Sequence, residues 1–157
     1  DSLLIYNNKV VSYAQNFDSI SNSRNIFGGC KVKSTLTNNS NDTIYFLSQT
    51  CDDISLFKYN TDQFNAMARY LCNASYPDVR FIAPNSTITF ETNFRIIKQN
   101  SNEIDVSFVL KKLIKEEAIK LMKTDRSENY KDFDSQCDNL NIEIIILSDE
   151  PKILSKK

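Results

Sequence analysis

The stretch ITFETNFRI, Ile88 to Ile96, alternates without a break. Ile88, Phe90, Thr92, Phe94 and Ile96 are apolar or β-branched and share one side of an extended chain, while Thr89, Glu91, Asn93 and Arg95 share the other. That period of two is the mark of a strand with one face buried. The Pro84-Asn85 turn introduces it. Beyond the polar break QNSNE, residues 99–103, the alternation resumes at Ile104, Val106, Phe108 and Leu110, so the two segments are expected to pair as a hairpin.

Working outward, the same pattern recurs. Asn38 to Asp42 is turn chemistry, preceded by Val32 and Leu36 on one face and followed by the run Ile44, Tyr45, Phe46 and Leu47. Residues 31–38 and 43–50 are therefore expected to form a second hairpin. Ile54 to Tyr59, Val79 to Ile82 and Ile142 to Leu147 supply three further strands, and the last is apolar enough to be placed centrally in a sheet. About seven short strands with faces to hide predict an all-β, two-layer sandwich.

Two segments break the period. Phe64, Met67 and Leu71 follow helical spacing behind Asp62, which predicts a short capped helix over 62–72. Leu113, Ile114, Ala118, Leu121 and Met122 form an apolar stripe, which predicts a second helix from about Lys111 to 123. Residues 124–139, TDRSENYKDFDSQCDN, read as a polar connection, making 111–139 a helical and polar insertion. The first 29 residues read as an extension with one strand near Lys9 to Tyr13 and a loop closing at Gly28-Gly29. No repeat or linker divides the chain, so 1–157 is expected to be a single domain.

Composition restricts the function classes. Nineteen basic residues stand against 20 acidic ones, with no basic stripe, which argues against nucleic acid as a partner. No apolar run approaches the roughly 18 residues of a membrane-spanning helix. Histidine is absent, removing the usual general base and every imidazole-based triad, and tryptophan is absent too. A non-catalytic protein is the expectation, with no catalytic residue and no cofactor assigned. The chain begins at Asp1 rather than methionine, as a chain does once a leader has been removed.

Cys30, Cys51, Cys72 and Cys137 form an even set without any CxxC. Scattered thiolates with no histidine argue against a metal centre, and two disulfides in an oxidising compartment fit better than four buried thiols. Three pairings are open to four cysteines. A Cys51–Cys72 bond would close a loop of about 20 residues, worth ~3 kcal/mol through the denatured state.

Other clusters have plain readings. Asp52-Asp53, with Asp132, Asp134 and Asp138 near Cys137, could offer oxygens to calcium but read as solvated turns, without EF-hand spacing. Glu116 and Glu117 are sequence neighbours on a helix and do not face each other. Gly28-Gly29 lacks a phosphate-binding context and reads as a turn. The sequons at Asn38, Asn41, Asn73 and Asn85 would mark surface loops. Phe57, Tyr59, Phe64 and Tyr70 offer either a recognition surface or core packing, of which core packing is the simpler.

The segments LTNNSNDTIYFLSQTC (36–51), LFKYN (56–60), Cys72 and YPDVRFIAPNSTITFETNF (76–94) together resemble a class of small immunoglobulin-like domains in exported bacterial proteins, over about residues 31–110. The resemblance implies a secreted or lipid-anchored setting, extracellular or periplasmic, and supplies no catalytic residue. In such a sandwich the first and last strands run side by side in parallel. That arrangement would bring Cys30 and Cys137 together and leave Cys51 to Cys72. The function so implied is contact with a protein or glycan through loops at one sandwich end. The alternatives are a structural spacer of the cell envelope and a proteinase-inhibitor-like module, although no reactive loop can be matched.

Overall fold

Burial along Ile88–Ile96 follows its alternation: Phe90, Thr92, Phe94 and Ile96 are buried, while Thr89, Glu91 and Asn93 are exposed. The computed structural model describes residues 4–15, 26–50, 53–67, 76–124, 136–137 and 139–154. In chain order the strands are β1 (Leu4–Gln15), β2 (Gly28–Asn38), β3 (Ile44–Gln49), β4 (Phe57–Tyr59), β5 (Phe64–Ala66), β6 (Pro77–Ile82), β7 (Ser86–Ile96), β8 (Glu103–Ile104) and β9 (Val106–Leu113). The helix α1 (Lys115–Lys123), β10 (Glu143–Ser148) and β11 (Lys152–Ile153) follow.

The strands form a two-layer, antiparallel sandwich. One sheet has the order β1-β2-β7-β5; the other has β10-β9-β3-β6, with β4 also against β9. A small β8–β11 pair is hydrogen-bonded into neither. All strand pairs among the described residues are antiparallel. The sandwich expected from the alternation is present. Both expected hairpins are not: β2 pairs with β7 and β1, and β3 pairs with β6 and β9. The connections β2–β3, β6–β7 and β7–β9 each cross between sheets as arches.

The reason is visible at Asn38, which is fully buried at the end of β2. Its amide donates to Asp42 O at 2.7 Å, Ile82 O at 3.1 Å and Ala83 O at 3.2 Å. Its Oδ1 accepts from Ser40 N (3.0 Å) and Ser40 Oγ (2.6 Å). One side chain thereby fastens the arch it begins to the neighbouring arch that carries Pro84-Asn85, where Asn85 takes the left-handed φ of 52° that asparagine tolerates. The sequon at Asn38 thus sits inside the protein rather than on a surface loop. Those at Asn41 and Asn85 are exposed, and Asn73 lies outside the described residues.

The core between the sheets centres on Phe108, fully buried, with the rings of Phe90, Phe57, Tyr6 and Phe46 at 5.2, 5.4, 5.9 and 6.3 Å. A lesser cluster covers the outer face of the second sheet, where Ala118 and Leu121 of α1 and Cys137 meet Leu47, Val79 and Leu113. A polar tie closes the β1 side. Asn8 donates from Nδ2 to Val106 O (2.6 Å) and from its backbone to Asp149 Oδ2 (2.7 Å), and Lys152 pairs with that same carboxylate at 3.0 Å. Desolvation would raise the Asp149 pKa, but the Asn8 N–H, Lys152 and the Glu150 N–H outweigh it and hold the group below the usual carboxylate range.

Several expectations need correction. Segment 62–72 contains strand β5, not a helix, because Phe64 is needed as a buried plug opposite Ile96; residues 68–72 lie outside the described residues. Helix α1 begins at Lys115 rather than Lys111, since β9 continues to Leu113 in register with β10 and β3. Ile54–Leu56 is a 3-10 turn ahead of β4. Gly28 and Gly29 start β2 instead of closing a loop: Gly28 has φ 147°, and a Cβ on Gly29 would lie 3.2 Å from Phe94 O. The supposed extension holds a 12-residue strand, β1. The apolar β10 is an edge strand, not a central one.

Among the described residues there is no disulfide, so the Cys30–Cys137 link is corrected. Cys30 is a free thiol in the main core on β2, whereas Cys137 packs in the lesser cluster outside the second sheet. Among the described residues no parallel first and last strands join them: β1 pairs with β2, and β10 with β9. Cys51 and Cys72 lie outside the described residues. Burial pushes the Cys30 thiol up to about 12, leaving little thiolate near neutral pH. Iodoacetamide at pH 8 is therefore expected to leave Cys30 unmodified in the native protein and to label it in urea, read by peptide mass; full native labelling would contradict this placement.

Candidate functional site

Strand β6 carries charge where a core strand carries hydrocarbon. In register with β3, Ile82 opposes Ile44, Arg80 opposes Phe46 and Asp78 opposes Ser48. Opposed residues of an antiparallel pair share a face, so Asp78 and Arg80 lie on the inward side with buried Phe46 and Ser48. Among the described residues no longer strand covers this side of the sandwich, since β5 spans three residues opposite 94–96 of β7, and a charged group can remain there.

The Arg80 guanidinium has three neighbours. Its Nη1 meets Asp53 Oδ1 at 2.7 Å, with both side chains about a third exposed. Its Cζ stands 4.9 Å from the Phe90 ring centre and 6.0 Å from that of Phe46. Cation–π attraction and a short ion pair hold the fork flat against the end of the core. Ser48 Oγ adds a longer bond of 3.4 Å to the same Asp53 oxygen. Asp53 itself is positioned by the 3-10 turn it precedes, whose Leu56 N–H returns to Asp53 O at 2.9 Å and whose Leu56 is fully buried.

These groups wall a cleft of about 370 Å³ between the edges of β6 and β7. Asp53, Asp78 and Arg80 line one side, and Thr89, Glu91 and Thr92 the other. Glu91 is half-exposed and pairs with Lys31 at 3.6 Å. Carboxylates, hydroxyls and amides dominate, so the cleft favours a hydrogen-bonding guest over an apolar one. No group of three or more Cys, Asp or Glu converges on a metal position among the described residues.

Of the residues singled out from sequence, Asp53 alone enters this site. Asp52, Asp132, Asp134 and Asp138 lie outside the described residues. Glu116 is exposed and Glu117 half-buried in the first turn of α1, on the other side of the second sheet, where acidic residues complement the helix dipole. Phe57 and Phe64 are core residues. Tyr59 packs its ring 5.1 Å from Phe94, and its hydroxyl accepts Ala66 N–H at 3.2 Å; Tyr70 lies outside the described residues. Arg80, Asp78 and Thr92 were missed. In PDVRFI, Val79 faces α1 and Phe81 is half-exposed, so the alternation leaves Asp78 and Arg80 on the inward side.

No family model matches the chain, and no curated protein matches it. Among solved structures it is similar to the crystal structure of a FixG-related protein from Vibrio parahaemolyticus, at 10% identity and a TM-score of 0.41, over 98% of this chain and 97% of that one. No helix among the described residues is long and apolar enough to cross a membrane.

Proposed function

We propose that the chain is a non-catalytic, immunoglobulin-like domain of an exported protein, and that its open side binds a glycan in the Arg80 cleft. Support for the immunoglobulin-like reading comes from strand order. Strands β1, β2 and β7 in one layer against β10, β9, β3 and β6 in the other follow the order of strands A, B, E and G, F, C, C′ in such sandwiches. The observation that carries the binding reading is the hydrogen-bonding cleft itself, with a fixed guanidinium and carboxylates spaced across it. Sugar hydroxyls both donate and accept, which suits that mixture better than a purely cationic or anionic guest would. The contact is thus assigned to the open side of the sandwich rather than to loops at its end.

A structural spacer is the second reading, favoured by the way Asp53 already neutralises Arg80. The extracellular or periplasmic setting now leans on Cys51 and Cys72. Non-reducing peptide mapping that finds them joined supports it, and finding both reduced in protein taken from its native source counts against it.

Glycan-array screening followed by calorimetry separates the two functional readings. A ligand of this cleft is expected to lose about tenfold or more in affinity with Glu91→Ala, which removes an exposed acceptor. Loss with Arg80→Ala and partial rescue by Arg80→Lys should accompany it. The spacer reading gains if no glycan is retained, or if binding is indifferent to all three substitutions.

A further inference from the structure

Apart from the three-residue β4, four strands bound the two main sheets: β1 and β5 in one, β10 and β6 in the other. A bare edge presents unpaired N–H and C=O groups to any extended chain, and proteins usually blunt it with a bulge, a lysine, a proline, an inward charge or a very short strand. Three of these edges are blunted. β1 exposes Lys9 and shifts register between Val10 and Ser12. β5 is three residues long. β6 opens with Pro77 and turns Asp78 and Arg80 inward.

β10 is the least blunted: its one charge, Glu143 on the inward side at its first residue, is tied to Lys112, and no bulge, lysine or proline follows within the strand. Its six residues pair with β9 in unbroken register, and Ile144, Ile145, Ile146 and Leu147 carry no charge. Ile144 is 64% exposed and Ile146 50%, both on the outward face beside Lys111 and Val109. β1 of the other sheet comes near β10 and is tied just past its end by the Asn8–Asp149 bond, but no ladder joins the two strands. Nothing within the described chain accounts for two outward isoleucines on an edge strand.

We infer that β10 is a self-association edge, at which two copies of this chain pair antiparallel across a twofold axis and continue one sheet into the next. A second copy offers the same strand at matching length. Such an axis, standing perpendicular to the sheet, keeps outward residues beside outward residues, so Ile144 and Ile146 of both copies form one apolar strip. The charges that flank the strand do not oppose this meeting. Glu143 is paired with Lys112 at 3.1 Å and Asp149 with Lys152 at 3.0 Å, so each acidic end is neutralised within its own chain. Pairing consumes the edge in both copies, so the assembly closes at two.

Sedimentation equilibrium from about 5 to 500 μM tests the inference, since that range spans weak to moderate association. The expected result is a reversible dimer. Ile144→Lys with Ile146→Lys sets like charges side by side and should weaken it roughly 100-fold. Because both positions are solvent-facing, the double variant should keep the parent's circular dichroism, and its melting curve should match that of the parent diluted below association. Amide exchange in β10 should slow with concentration in the parent only. A parent that stays monomeric throughout the range, a dimer untouched by the lysines, or an open-ended polymer would each overturn the assignment.

Discussion

Replacing Asn38 by alanine is expected to remove roughly 3–5 kcal/mol of folding stability, among the larger losses a single polar side chain can cause. The side chain is fully buried and makes contacts with Ser40, Asp42, Ile82 and Ala83. Truncation takes the amide donor from the Ile82 carbonyl and leaves Ala83 O to the Ser86 hydroxyl at 2.7 Å, beside a small void, and a buried acceptor that loses its partner costs about 1–3 kcal/mol. Ser40 loses its acceptor as well. Asn38→Asp should be worse than its near-identical shape suggests, because it turns a carboxylate toward three carbonyl oxygens. Chemical denaturation gives the measurement. A loss under 1 kcal/mol for Asn38→Ala would mean that the arches are held by something else.

The second large effect belongs to Phe108. It lies on β9 between rings from β1, β3, β4 and β7, all within 6.3 Å centre to centre, so strands of both sheets meet on one side chain. Phe108→Ala should cost about 3–5 kcal/mol, combining lost transfer energy with a cavity that two hydrogen-bonded sheets cannot collapse to fill. Phe108→Leu should cost less than half of that. Equal losses for the two variants, or a loss near 1 kcal/mol for alanine, would place the centre of the core elsewhere.

The strands were legible and their partners were not. Alternation at Ile88–Ile96 and 31–38 predicts burial residue by residue, because side-chain direction in an extended chain is a local property. Pairing is not local. A polar turn such as Asn38 to Asp42 serves a hairpin and an arch equally well, and the choice is made by an asparagine whose targets, Ile82 and Ala83, lie over 40 residues away. At Phe64 and Met67 helical spacing lost to a tertiary demand, since Phe64 fills the core as part of β5. The richest apolar segment, Ile142 to Leu147, reads as a central strand because burial on two faces is the usual cause of such a run. It lies instead at an edge, where another molecule can supply the missing cover. The cleft is illegible for a related reason: Arg80 takes an inward position on β6 while its hydrophobic neighbours Val79 and Phe81 face outward.

Backbone NOEs across β2 measure the arched sandwich most directly. Opposed residues of β2 and β7, such as Val32–Thr92, Ser34–Phe90 and Leu36–Ile88, or the pairs between them, should give Hα–Hα contacts at every second position. Contacts of that kind joining residues 31–38 to 43–50 would show a hairpin in place of an arch, and would contradict both the sandwich order and the cleft built on its open side.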